Sequence, residues 1–204
     1  MTVQIRPAAS DDLELICRLR LQRSSWLAAR GSDQWSTAAC GLSIDYFAHV
    51  VRRAVSAWET WIAEVDGRPA GTITINERAD QELWTAAELG DSLIVHHLIV
   101  DLRYAGQGVG QQLLAHAAAL VRAHGRHWVR LDAWTTNSDL HAYYLRAGFR
   151  LARIAEPGSQ SPSCALFERH VNSWMRDEGD RGGREALFST TPLTGFPITL
   201  PVSG

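Results

Sequence analysis

At 204 residues, with 46% hydrophobic side chains and a formal net charge of −2, the chain holds enough apolar material for one well-buried core with an appendage. That charge argues against a nucleic-acid binder, which carries a basic surplus. Cys17, Cys40 and Cys164 are widely spaced and odd in number, with no C-x-x-C pair, which argues against a disulfide frame or a zinc site and for reduced thiols in the cytoplasm.

No apolar run reaches the roughly 18 residues of a membrane span. The opening MTVQIRPAAS has no secretory apolar core. A soluble cytoplasmic protein is expected, with no membrane, nucleic-acid or metal partner. Val3 to Arg6 reads as a first strand, stopped by Pro7. Ser10 reads as an N-cap, with Asp11 and Asp12 suited to the positive end of the helix dipole. Leu13, Ile16, Leu19 and Arg20 continue that helix at three- to four-residue spacing. After the polar break RGSDQWS, a second helix starts at Ser43 with Ile44, Phe47, Val50, Val51 and Val55 on its apolar face.

Trp58 to Val65 and Ala70 to Ile75 read as a hairpin around Asp66-Gly67, with Arg68-Pro69 suggesting a loop longer than two residues. Asn76 to Asp91 reads as a loop. The apolar run Leu93 to Val100 is the fourth strand. Gly106, Gly108 and Gly110 follow at alternate positions, and a helix covers Gln111 to His124, closed by Gly125. His127 to Trp134 is a strand with Val129, Leu131 and Ala133 on one side and Arg130 and Asp132 on the other. A short helix, Asp139 to Arg146, precedes a strand from Phe149 to Ile154, a Gly/Pro/Ser loop and a last strand, Cys164 to Arg169. The tail from His170 to Gly204 has too few apolar residues for a core of its own.

Strand, glycine turn and helix together make an anion site. Glycines let backbone N–H groups approach a ligand, and the open first turn of the helix adds partial positive charge. A dinucleotide fingerprint needs G-x-G-x-x-G, and here the third glycine comes one residue early. A P-loop needs a lysine, and the chain has none: all 20 basic residues are arginine.

What remains, G-x-G-x-G after a Val-ended strand, resembles motif A of the GNAT superfamily, the Gcn5-related N-acetyltransferases, whose signature is Q/R-x-x-G-x-G/A. Ala105 stands in the Gln/Arg slot. A second stretch, NSDLHAYYLRAGF, resembles motif B of the same superfamily through Asn137, Tyr144, Gly148 and Phe149, with Leu140 where a small residue is more usual. The resemblance covers residues 3–169. It implies an α/β (α+β) GNAT fold: a mixed central sheet of about seven strands, helices on both faces, splayed between the fourth and fifth strands.

The resemblance also implies a function. Acetyl-CoA serves as cosubstrate, and a neutral amine attacks the thioester directly. The cofactor contacts would come from Leu98, Ile99 and Val100 at the splayed strand end, from Ala105, Gly106, Gln107, Gly108, Val109, Gly110 and Gln111 in the turn, and from Asn137. Tyr144 holds the place of the acid for the leaving thiolate, a phenol of ordinary pKa about 10. For the base, relatives use Glu or His six or four residues before the strand's final Val. The first slot is Ile94 and the second is His96, whose ordinary pKa of about 6.5 suits the task. Alternation along the strand puts Ile94, His96, Leu98 and Val100 on one face and Val95, His97 and Ile99 on the other. Tyr143 and His97 are read as structural.

The acceptor is read as a small-molecule amine. Its pocket is expected from the break between the first two helices and from the loop before the fourth strand, with Asp33, Trp35 and Trp84 as contacts and Glu82, Glu88 and Asp91 nearby. Two alternatives stand: a coenzyme A-binding module that has lost transfer, and a protein or peptide acetyltransferase. Homodimerisation is common in the family.

Overall fold

The computed structural model describes residues 2–36, 41–155 and 161–174. Cys40, most of the Gly/Pro/Ser loop and the tail beyond 174 lie outside them. The elements run β1 (Val3–Pro7), α1 (Leu13–Ala28), α2 (Ile44–Ser56), β2 (Thr60–Val65), β3 (Arg68–Asn76), α3 (Ala86–Gly90), β4 (Ser92–Val100), α4 (Val109–Ala123), β5 (Trp128–Ala133), α5 (Ser138–Arg146), β6 (Arg150–Ile154) and β7 (Ala165–His170). They build one mixed sheet in the order β1-β2-β3-β4-β5-β7-β6. Every pairing is antiparallel except β4 with β5, which is parallel and short: Ser92, Leu93 and Ile94 face Trp128, Val129 and Arg130, and then the strands part.

Local sequence explains most of these elements. The Ser43 hydroxyl accepts the Tyr46 N–H at 3.2 Å and opens α2, which buries Phe47, Val51, Ala54 and Val55 on one face. Helix α4 buries Val109, Leu113, Leu114, Ala117, Ala118 and Val121. It ends as expected at Gly125, whose φ of 67° suits a residue without a Cβ. Ser10 is not the N-cap of α1. It begins a 3₁₀ turn, Ser10–Asp12, in which the Asp12 carboxylate accepts the Ala9 N–H at 2.8 Å and pairs with the Arg6 guanidinium at 2.7 Å; α1 itself, with Asp12 at its N-cap position, has no side-chain cap. A carboxylate three residues on can reach back where a hydroxyl cannot also hold an arginine.

The β2–β3 hairpin is tighter than expected. Val65 pairs directly with Arg68 across a two-residue turn, and Asp66 and Gly67 both take positive φ, 49° and 76°. A bulge at Ala63/Glu64 absorbs the register around Pro69. Trp58 lies outside β2, with φ 60° and 66% of its surface exposed.

A second bulge falls on β4. Thr72 pairs with Ile99 and Thr74 with His96, so Ile73 faces both His97 and Leu98. His97 takes φ 49°, a rare conformation for a residue with a Cβ. The expected alternation therefore breaks there. Val95 belongs to the cluster under α4, and past the bulge Leu98 and Val100 pack against that same cluster, while Ile99 joins Phe47, Val51 and Ile62 under α1 and α2.

Helices α4 and α5 share the larger cluster, where Tyr144, Phe149 and Phe167 meet. Val171 and Trp174 also pack into it, so the body reaches past residue 169. The stretch before β4 holds the short helix α3, whose start is a capping box of Thr85 and Glu88. Trp84 just ahead of it is 1% exposed, packed with Leu83, Cys164 and Leu166 under the Arg130 and Arg153 guanidiniums. Among the described residues no helix is long and apolar enough to cross a membrane.

Glu88 carries a pH signature. It pairs with Arg153 at 2.7 Å and also accepts from Thr85, and the Arg153 hydrogen bond holds its carboxyl down to about 2 from an ordinary 4.5. A depressed folded-state pKa contributes stability above the unfolded value, and the contribution is lost as pH falls through the folded one. A Glu88→Gln variant is expected to be less stable than the parent above pH 4.5 and to converge with it by about 2. Urea titrations across that range read the difference directly; parallel curves would exclude the pairing.

Candidate active site

Where β4 and β5 separate, a cleft of about 1150 Å³ opens, walled by β4, the glycine turn, the end of β5, α5 and the C-terminal half of α1. Each wall brings a different chemistry.

The glycine turn brings amides. Gly106 and Gly108 have φ of 78° and 82°, and a Cβ on Gly106 would meet nothing within 4 Å. The Ala105 N–H is taken by the Leu102 carbonyl and the Gln107 N–H by that of Tyr104, each at 3.2 Å. Those two expected amide contacts are therefore engaged within the turn. Gln107 also does not line the cleft, since its side chain folds back to the Arg103 carbonyl at 2.9 Å. By contrast, the amides of Gly106, Gly108, Val109, Gly110 and Gln111 have no partner among the described residues, and these five residues line the cleft. The N-terminus of α4 thus presents unsatisfied donors to it, a cradle suited to phosphate.

Gly110 is required by packing rather than by conformation. A methyl there would lie 2.4 Å from the Tyr143 hydroxyl and 3.4 Å from its Cζ. Tyr143, read from the sequence as structural, therefore lines the cleft beside the phosphate cradle, and burial pushes its phenol up to about 12. A Gly110→Ala variant is expected to lose about 1–3 kcal/mol of stability. Adding Tyr143→Phe should recover most of that loss, because only the hydroxyl is in the way. Additive losses in the double variant, measured by chemical denaturation, would disprove the contact.

Tyr144 packs on Phe149 and Phe167, with ring centroids 5.7 and 5.6 Å away, and it lines the cleft. Burial first, then Tyr143 and Asp132, raise its phenol well above the ordinary value of 10. It is a more persistent O–H donor, and a weaker acid, than its sequence position suggests.

His96 also lines the cleft. Its Nε2 lies 2.8 Å from the Arg78 carbonyl. A carbonyl accepts, so Nε2 carries the hydrogen in the neutral ring and Nδ1 is left as the acceptor. His97 sits edge-on to Phe47 at 5.0 Å, with Nδ1 buried and unpartnered, and burial pushes its imidazole down to about 3.

Sequence reasoning missed Asp132. It sits two residues past the last β4–β5 pair, inside the opening, where burial holds its carboxyl above the usual carboxylate range despite the opposing pull of His96. No local signal marked it, because only the short β4–β5 pairing places it at the opening.

Of the expected strand contacts, Leu98 and Val100 line the cleft, and Ile99 is buried under α1 and α2. The Val100 carbonyl accepts from Arg23 at 2.6 Å. Asn137 caps α5 by accepting the Leu140 N–H at 2.9 Å, while its amide nitrogen donates to Gln34. Both ends of that amide are engaged within the protein. Asp33 and Trp35 reach the cleft, but Asp33 acts as a clamp, accepting from Trp134 Nε1 at 3.0 Å and from the Thr136 hydroxyl. Trp84 is a core residue away from the cleft, which corrects its reading as an acceptor contact. Glu88 and Asp91 are held by Arg153 and His127.

Residues 56–151 match the family model described as acetyltransferase (GNAT) domain. The chain is 27% identical over 170 residues to the uncharacterized N-acetyltransferase YesJ of Bacillus subtilis (strain 168), covering 82% of this chain and 89% of that one. Its fold is similar to that of a GNAT-family acetyltransferase from Listeria monocytogenes 4b F2365, with TM-score 0.65 and 23% identity across 82% of this chain and 94% of the other. It is also similar to the PaiA N-acetyltransferase of Thermoplasma acidophilum, solved in complex with coenzyme A, with TM-score 0.57 and 18% identity across 83% and 99%. By these comparisons the chain is similar to acetyltransferases of the GNAT superfamily, over residues 56–151 in the family match and over the fold in the solved structures.

Proposed function

We propose that this chain is an acetyl-CoA-dependent N-acetyltransferase that acetylates the primary amine of a small molecule. One observation carries the reading: unsatisfied amides at the start of α4 open onto the same cleft as Tyr144, where β4 and β5 part. Support also comes from the Thermoplasma relative, whose structure holds coenzyme A.

Acetyl-CoA supplies an acyl group on a good leaving sulfur. The amides of Gly108, Val109, Gly110 and Gln111 hold its diphosphate. The Tyr144 O–H gives its proton to the departing sulfur as the C–S bond breaks, and the second proton, released from nitrogen as the N–C bond forms, restores the phenol. A primary amine of pKa near 10 arrives protonated at neutral pH, so a base must take a proton from it. His96 Nδ1 accepts this proton directly or through a water. Asp132 stands beside it as a second acceptor whose raised pKa fits the task.

The test combines calorimetric titration with acetyl-CoA and thiol release across a panel of amines. Binding together with turnover of at least one amine is the expected outcome. His96→Gln and Asp132→Asn are each expected to shift the acid limb of the pH–rate profile and to lower kcat more than affinity for acetyl-CoA. Full activity in both variants would remove the assigned base. Tight acetyl-CoA binding with no turnover would favour a non-transferring binding module, and no binding would end the reading.

A further inference from the structure

The acceptor half of the cleft is cationic, contrary to the carboxylate-lined pocket expected from sequence. Arg20 and Arg23 of α1, and Arg30 from the turn after it, all line it. Arg20 is the unusual one. Only 5% of its surface is exposed, it sits over the Trp35 ring at 4.0 Å and the Phe47 ring at 5.5 Å, and among the described residues its side-chain partner is the neutral Ser24 hydroxyl.

No carboxylate among the described residues forms an ion pair with Arg20, Arg23 or Arg30; Asp101, paired with Arg103, is near enough to Arg23 only to favour its charge. Elsewhere the chain treats arginines differently: Arg130 is matched by Glu168, Arg153 by Glu88 and Arg6 by Asp12. A guanidinium withdrawn from water without a counter-charge is costly, and burial pushes that of Arg20 down to about 10. The acids that border the cleft do not relieve it. Asp33 is held by Trp134 and Thr136, Asp132 makes no ion pair with it, and Asp139 is exposed at the start of α5.

Position decides which ligand would complete the charge. Arg20 packs on Phe47 and Trp35, on the α1–α2 side of the sheet, close enough to His97 at the β4 bulge for its charge to depress that ring. The unsatisfied amides lie at the start of α4, over the other core cluster. Arg20 therefore faces the acceptor rather than the diphosphate, and Arg23, three residues on, stands at the border of the two, donating to the Val100 carbonyl.

We propose that the acceptor is an amine that also carries an anionic group, a carboxylate or a phosphate, and that Arg20 and Arg23 receive that group while the amine points toward Tyr144. This rests on the transferase reading above. The planar guanidinium fork matches either oxyanion in a two-bond grip, and Trp35 stacked on Arg20 holds the fork flat.

The experiment uses the full chain and pairs of amines that differ only in the anion. These are the twenty common amino acids against their carboxamides, and O-phosphoethanolamine against ethanolamine. One anionic class is expected to exceed its neutral partners in kcat/KM by about 10- to 100-fold; which class does so separates carboxylate from phosphate. Arg20→Met and Arg23→Gln should each bring that ratio toward one, acting on KM more than on kcat. Arg23 is half-buried, so Arg23→Gln keeps the test alive if Arg20→Met misfolds.

Equal use of charged and neutral partners would overturn the proposal. So would arginine variants that weaken acetyl-CoA binding and leave the ratio intact. If no amine is acetylated, the transferase reading fails on its own. The same pairs titrated into the coenzyme A-bound protein then decide the anion seat: heat from the anionic members alone sustains it, and heat from neither or from both equally overturns it.

Discussion

Tyr144→Phe is expected to lower kcat roughly 100- to 10,000-fold, the range that general acid help supplies, while affinity for acetyl-CoA barely changes. The reasoning starts from packing. The ring sits among Phe149 and Phe167, so phenylalanine fills the same volume and the variant should fold with the parent's stability. Only the O–H is lost. That group has no protein partner among the described residues, and burial keeps it protonated through the neutral and mildly alkaline range. In the proposed reaction its interaction with the departing sulfur would strengthen only as negative charge builds there, so its loss should appear in kcat and not in ground-state binding. Single-turnover kinetics with a good amine provide the check. Unchanged turnover would remove Tyr144 from the reaction.

Glu168→Ala should cost about 3–5 kcal/mol of stability. Glu168 on β7 accepts from Arg130 on β5 at 2.9 Å and also pairs with Arg150 on β6. The Glu168 and Arg130 side chains are 6% and 7% exposed, so the pair is buried in the three strands beyond the opening. Arg130 is further held by the Glu88 carbonyl and lies over the rings of Trp84 and Trp128. Removing the carboxylate leaves that guanidinium buried with its charge unanswered. Glu168→Gln, which keeps the shape and a carbonyl acceptor, should lose less. Urea denaturation separates the two variants, and equal small losses in both would mean that Arg130 finds water instead.

What could be read from the sequence was local. The glycine turn, the Asn137–Phe149 stretch, the Ser43 cap and the Gly125 stop each lie within a dozen or so consecutive residues, where spacing alone determines geometry. What could not be read depends on distant partners. Asp33 looked like a free loop acid until Trp134, 101 residues on, proved to donate to it. Trp84 looked like a loop tryptophan because the strand that covers it comes much later in the chain. The His97 bulge exchanged the faces of β4 because alternation assumes one residue per pairing step, and no residue type marks a bulge reliably. Asp132 was read only as sharing one side of its strand with Arg130, since the short β4–β5 contact alone places it at an opening. Arg20 was assigned to the apolar face of α1 correctly, but its lack of a counter-charge was invisible until the neighbouring helices were in place.

The two walls of the cleft stand on different foundations. The amide-bearing helix is rooted in the cluster of Val109, Leu113 and Ala117, and the arginine-bearing one in that of Ile16, Leu19 and Phe47. An exchange at Arg20 can therefore alter one wall and leave the core of the other in place, whereas Gln22 and Arg23 reach across to the Leu102 amide and the Val100 carbonyl.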